Sequence, residues 1–194
     1  MSIIESNRPR PKSSFHAVAD PFVSQGGFPF ADVLTAEDIE GAFAAAGALF
    51  GQNDIFSTPI VLWAFLAQVL RDGKGAACTS AVAEIATYME QTGGTPPCGD
   101  TGDYCRARAK LSPHALRELT VQTAERLEQQ ADPSWLSHGL HAKLIDGFTF
   151  TMPDTPANQQ AFPQLSTQAP GVGFPIARAC MVLSLATAAV QDLA

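Results

Sequence analysis

The sequence predicts an α+β fold, a helical N-terminal region followed by a short sheet. Three observations carry this. Apolar residues recur at helical spacing from Thr35 to about Ala131, alternation sets in after Gly147, and a Pro170-Gly-Val-Gly-Phe-Pro175 turn leads into two further apolar runs. The 194 residues are 46% apolar and 16% charged, enough for a real core and for one domain or two small ones.

Residues 1–34 begin with Pro9, Pro11, Pro21 and Pro29 around Gly26-Gly27 and show no periodicity, so an extended arm is expected. Arg8, Arg10 and Lys12 make it locally basic, as either a solvated tail or a phosphate-touching arm. Thr35 then caps a first helix with Asp38 at the capping-box position, and Ile39, Phe43, Ala46 and Phe50 mark its inner face. Thr58-Pro59 opens a second, because proline suits a first turn. Its run Ile60-Val-Leu-Trp-Ala-Phe-Leu-Ala67 is apolar all round, which predicts a central position, with Gly73 at its end.

A third helix is expected from about Ala76 to Gln91, with Val82, Ile85 and Met89 inward, stopped by Gly93-Gly94-Thr-Pro-Pro97. Asp100 or Thr101 caps a short fourth over Gly102 to Lys110. Ser112-Pro113 opens a fifth with an inward stripe of Leu116, Leu119, Thr123 and Leu127, ended by Asp132-Pro133. Residues 35–135 therefore read as a helical bundle region. From 140 to 194 the chain reads as sheet: one strand over Ala142 to Met152, a polar loop over Pro153 to Gln160, and within Ile176 to Ala194 a strand pair, favoured by the preceding strand and Gly/Pro turn over the buried helix that periodicity alone equally allows.

The chain carries 12 Lys and Arg against 19 Asp and Glu, a net charge of −7, which argues against broad nucleic-acid binding. The deficit is local: residues 31–60 hold five acidic and no basic residues, while 101–142 balance five against five. No apolar run approaches a membrane span and the N-terminus lacks a signal-peptide profile, so a cytoplasmic protein without membrane association is expected. Of the four cysteines only Cys98 and Cys105 are close in sequence, at a spacing that fits neither a zinc knuckle nor a CxxC pair. All four read as reduced thiols, mostly packing residues. His138 and His141 lack further ligands in the sequence nearby and read as ordinary histidines.

Three places can carry chemistry. Asp146 lies in Leu144-Ile145-Asp146-Gly147, within a strand otherwise built to be buried. A carboxylate there needs a metal or a hydrogen-bond network, or else it is a polar residue beside a bulge at Gly147. The loop Met152-Pro-Asp-Thr-Pro-Ala-Asn-Gln159 concentrates short polar side chains that suit phosphate or base-edge contacts, or simply form turns. In Thr101-Gly-Asp-Tyr-Cys-Arg-Ala-Arg-Ala-Lys-Leu111, Arg106 and Lys110 share one helical face while Arg108 points elsewhere. With Tyr104 this makes either a DNA-backbone contact or a solvated face.

Taken together in order, Leu144 to Gly147, Met152 to Gln159, Gly173 to Arg178 and Ser184 to Thr187 resemble bacterial insertion-sequence transposases of the type-four DDE family. Upstream, Leu62 to Leu70 and Thr101 to Leu111 resemble that family's N-terminal helical region, so the likeness runs from about residue 55 to 194. It implies a DNA-binding helical region followed by a ribonuclease H-like catalytic domain, in which two Asp and one Glu hold two Mg²⁺ or Mn²⁺ ions for phosphoryl transfer. Asp146 matches the first carboxylate and would be both catalytic and metal-binding. Arg106, Arg108, Lys110, Thr155, Asn158, Gln159 and Arg178 would contact terminal-repeat DNA.

The sequence also departs from the pattern. A basic residue before the Pro-Gly turn is replaced by Ala169 and a hairpin glycine by Ala188, and the second Asp and the Glu would fall beyond Ala194. The expectation is thus a truncated DDE transposase, inactive alone, forming a homodimer or a heterodimer with an intact transposase. Two alternatives stand beside it: a DNA-binding or dimerising inhibitor of an intact transposase, and a decayed remnant without selected activity.

Overall fold

The computed structural model describes residues 28–194 except Asn53, Pro170 and Val172, so most of the expected N-terminal arm lies outside the described residues. The chain forms two compact units that part between Ala115 and Leu116. The described residues are of mixed class, helices plus a three-stranded antiparallel sheet.

In the first unit, α1 spans Ala36–Ala45 and opens with the expected capping box: Thr35 Oγ1 accepts from Asp38 N at 3.2 Å while Asp38 Oδ2 accepts from Thr35 N at 3.3 Å. It stops earlier than the apolar pattern suggests. Gly47 takes φ +62°, a left-handed conformation that ends the helix and leaves Phe50 outside it. Phe50 is held instead by Thr58, whose hydroxyl accepts from Phe50 N and donates to Phe50 O, both at 2.9 Å. Helix α2, Thr58–Val69, carries Pro59 in its first turn and buries Val61, Leu62, Trp63, Ala64 and Ala67. It is the central helix the all-round apolar run predicted, in contact with α1, with α3 (Cys78–Gln91) and with α4 (Gly102–Arg108). It ends four residues before Gly73, which begins a separate 3-10 turn.

Ile39 and Phe43 of α1 and Val82 and Ile85 of α3 complete this core, while Met89 is only half-buried. Phe28, Trp63 and Tyr88 form an aromatic cluster with centroids 5.0 to 6.0 Å apart, and Trp63 Nε1 donates to the Leu34 carbonyl at 2.8 Å.

Helix α5, Pro113–Gln129, begins at the end of the first unit and runs through the start of the second. Its buried stripe is Ala115, Leu119 and Ala124. Of the expected stripe only Leu119 is buried, and Leu127 is exposed. Ser137 to Leu140 make a tight turn in which His138 and Gly139 both have positive φ, 54° and 77°, and Ser137 and Leu140 exchange backbone hydrogen bonds of 2.9 Å.

The sheet has the order β1-β2-β3, with β1 at Lys143–Thr151, β2 at Ile176–Ser184 and β3 at Val190–Leu193. The β1/β2 register runs unbroken from Lys143↔Ser184 to Thr151↔Ile176, so Gly147 marks no bulge; the irregularity lies at Val182/Leu183 against β3. The polar segment after β1 is not a plain loop. Pro156–Ala161 forms the short helix α6, because Thr155 caps it by accepting from Asn158 N at 3.2 Å and Pro156 fits its first turn.

Two ion pairs tie α5 to the strands within this unit. Arg117 Nη2 donates to Asp192 Oδ1 of β3 at 2.6 Å, and Lys143 Nζ of β1 donates to Glu128 Oε2 at 2.7 Å. No helix among the described residues is long and apolar enough to cross a membrane.

Candidate functional site

Asp146 stands at the middle of β1, paired in register with Met181. Strand alternation puts it on one face with Leu144, Phe148 and Phe150 and opposite to Lys143, the partner of Glu128. The whole strand is open to solvent, which corrects the expectation of a buried one. Leu144, Ile145, Phe148 and Phe150 are 46%, 70%, 39% and 47% exposed. β1 is an edge strand, paired with β2 alone, and its β-branched and aromatic side chains stay exposed. An exposed carboxylate carries no burial cost, and the demand for a compensating ion falls away with it.

The metal implied by the transposase resemblance needs several carboxylates. Among the described residues no three His, Cys, Asp or Glu side chains group so as to hold a metal ion. Asp146 is flanked on its face by Leu144 and Phe148 and faces Met181. The described residues around Asp146 therefore do not fit a two-ion site. His141, three residues from His138, instead pairs through Nδ1 with Glu128 Oε2 at 2.6 Å.

The polar motif after β1 is bound up in its own geometry. Thr155 is a helix cap, Asn158 Nδ2 donates to the Pro153 carbonyl at 2.9 Å, and Gln159 Nε2 donates to Asp154 Oδ1 at 2.8 Å and to the Gly173 carbonyl at 3.2 Å. Of these, Gln159 pins the Gly173 turn to α6. Gln159 lines a cleft of about 540 Å³ with Asp154, Gln164 and Gln168, and Arg178 lines one of about 500 Å³ with Phe162, Gln164 and Ile176. The fold therefore brings Gln159 and Arg178 to either side of the same Gln164 segment. It does not bring Arg178 to Asp146, because Arg178 pairs with Thr149 and so falls on the opposite face.

The cationic cluster divides as the helical spacing predicts. Arg106 and Lys110 line a cleft of about 540 Å³ with Phe50, Phe56, Asp54 and Asp103. Arg106 is bonded to Asp103 at 2.5 Å, and the Lys110 ammonium lies 5.7 Å from the Phe50 ring centroid. Arg108 turns inward. Its Nη1 donates to Gln68 Oε1 at 3.1 Å, and its guanidinium lies 5.9 and 5.7 Å from the Phe65 and Tyr104 rings. Tyr104 is fully buried and donates to the same Gln68 oxygen at 2.8 Å. Burial first, with Arg108 opposing, pushes its phenol up to about 12. Tyr104 is thus part of the core, and the partly buried Arg108 packs against it and Gln68. Of the three bases, Arg106 and Lys110 remain on the surface.

Sequence reasoning missed one cluster. Cys78, the first residue of α3, accepts from Gln68 Nε2 at 3.7 Å and from Arg108 Nη1 at 3.8 Å, and the Cys105 thiol is within hydrogen-bonding reach of it. The two cysteines lie far apart in the chain, so no spacing signal marks them. No protein-family model, curated protein or solved structure matches this chain.

Proposed function

We propose that the chain is part of an insertion-sequence transposase of the DDE type. In this reading the helical region engages terminal-repeat DNA, and the sheet is the opening of a ribonuclease H-like domain with Asp146 as its first carboxylate. The observation that carries it is Asp146 itself, solvent-open at the centre of β1 in an antiparallel β1-β2-β3 sheet, with the motifs that follow it in co-linear order. Strand transfer in this family takes two further carboxylates, and no group of three metal-holding side chains forms among the described residues. In this reading Asp146 acts in strand transfer only together with the residues that supply those carboxylates.

Support for DNA contact narrows to Arg106 and Lys110 on α4 and its end, and to Arg178 on β2. The inhibitor reading draws on the same bases and gains nothing separate from the structure. Two measurements test the proposal. Sequencing the DNA around the gene should show terminal inverted repeats and a reading frame carrying the missing Asp and Glu, and the absence of both would refute it. In a mobility-shift assay on a terminal-repeat duplex at low salt, Lys110→Ala should weaken binding, whereas no binding by the unaltered chain would remove the DNA-contact half.

A further inference from the structure

We propose that Cys78 is a peroxide-reactive thiol and that Cys105 resolves it, so that the pair forms a reversible disulfide between α3 and α4. This goes beyond the transposase reading and does not depend on it.

The assignment of roles follows from geometry. Cys78 is the first residue of α3, at the positive end of a helix whose cap residue, Ala77, makes no side-chain hydrogen bond. Gln68 is locked in the orientation that aims its amide at this sulfur. Its oxygen accepts from Tyr104 and Arg108 at 2.8 and 3.1 Å, and its nitrogen also donates to the Ala76 carbonyl at 2.7 Å. The Arg108 guanidinium, bonded to the same sulfur at 3.8 Å, adds a full positive charge that stacking over Phe65 and Tyr104 holds in place. Donors, charge and helix end all favour a thiolate at Cys78.

Burial pushes the Cys78 thiol up, but the bonds from Gln68 and Cys105 and the Arg108 charge outweigh it and hold the thiol below its ordinary value. Cys105 is shifted the other way, first by its hydrogen bond to Cys78, then by burial and by the nearby Cys78 and Asp100, with Arg108 opposing. Tyr104, the remaining titratable neighbour, stays neutral. One thiol is thus prepared to attack and its neighbour keeps its proton, the asymmetry that a two-cysteine peroxide reaction needs.

The chemistry balances with a hydroperoxide as oxidant. The Cys78 thiolate attacks one peroxide oxygen, an S–O bond forms as the O–O bond breaks, and the departing hydroxide or alkoxide takes a proton from water. Sulfur loses two electrons to become a sulfenic acid, and the peroxide gains them. Cys105 then gives up its proton and attacks the Cys78 sulfur, so that S–S forms, S–O breaks and the leaving hydroxide departs as water.

Exposure alone predicts the opposite order of reactivity. Cys98 and Cys180 are exposed, whereas Cys78 and Cys105 are only partly so. The full chain is treated with hydrogen peroxide, alkylated and mapped by mass spectrometry. The expected result is a Cys78–Cys105 linked peptide, reversed by dithiothreitol, forming before any oxidation of Cys98 or Cys180. In Cys105→Ser, Cys78 should accumulate as a dimedone-reactive sulfenic acid; in Cys78→Ser, Cys105 should stay unoxidised. Without any substitution, Cys78 should be alkylated faster at neutral pH than the more exposed Cys98. Faster reaction at Cys98 or Cys180, or a Cys78 sulfenic acid that persists in the unaltered chain without linking to Cys105, overturns the proposal.

Discussion

Replacing Ala188 by glycine should stabilise the sheet unit. Ala188 lies in the β2–β3 hairpin with φ +57°, the left-handed region in which an L side chain costs about 1–2 kcal/mol. The hairpin cannot relax out of it. Ala188 N donates to Ser184 O and Ser184 N donates to Ala189 O, both at 2.9 Å, while Thr187 N is held by Ser184 Oγ at 3.2 Å. The methyl group is exposed, so removing it loses little packing. Against the relief stands glycine's larger unfolded-state entropy, about 0.4–1 kcal/mol. The net gain is then about 0.5–1 kcal/mol, which in a unit of this size raises the melting temperature by roughly 2–8 °C. Thermal and urea unfolding followed by far-UV circular dichroism would measure it, with an unchanged denaturant slope. Ala179→Gly, in the middle of β2, is the control and should destabilise by about 1 kcal/mol. If Ala188→Gly loses as much stability as Ala179→Gly, the strain argument is wrong.

Other substitutions test separate parts of the account. Lys143 first, then Ser184 and His141, lower the Glu128 carboxyl from 4.5 to about 2. A depressed folded value means its contribution is fully present above pH 4.5 and is lost as pH falls toward 2; Glu128→Gln should therefore flatten the acid-unfolding profile in that window. Asp192, lowered by its bond to Arg117, adds to the same acid sensitivity and would leave a residual slope. At Gly51, φ is +63° and an added Cβ would meet the Phe56 carbonyl oxygen at 2.7 Å; Gly51→Ala should destabilise the first unit by about 2–4 kcal/mol in urea titration. Arg108→Met, which strips Gln68 and two rings of their cation, should cost about 1–3 kcal/mol. Arg106→Ala, at a side chain 72% exposed, should stay within about 0.5 kcal/mol, and equal costs for the two would contradict the inward placement of Arg108.

What the sequence determined by itself was whatever a few neighbouring residues decide. Thr35 and Asp38 cap each other three residues apart, Pro59 and Pro113 suit first turns whatever surrounds them, and the all-apolar run through Trp63 has nowhere to go but the centre. The alternation after Gly147 and the turn before Pro175 likewise announce strands, since side-chain period and turn chemistry are local. Even the separation of Arg108 from the face shared by Arg106 and Lys110 follows from helical spacing.

Periodicity missed two further local signals, and tertiary structure decided the rest. The apolar pattern through Phe50 overran α1, because nothing in periodicity registers that Gly47 takes a left-handed φ. The segment after β1 is polar enough to read as a loop, yet the cap at Thr155 and the bond from Gln159 to Gly173 fold it back as α6. Whether β1 is covered depends on elements elsewhere, and so Asp146 proved open where its neighbours suggested burial. Arg108 and Tyr104 were legible as a basic, aromatic edge; their true partner, Gln68, sits 40 and 36 positions away. The same distance hid Cys78 from Cys105. Hydrogen bonds between remote helices depend on how α2, α3 and α4 meet, and no window of sequence contains that meeting.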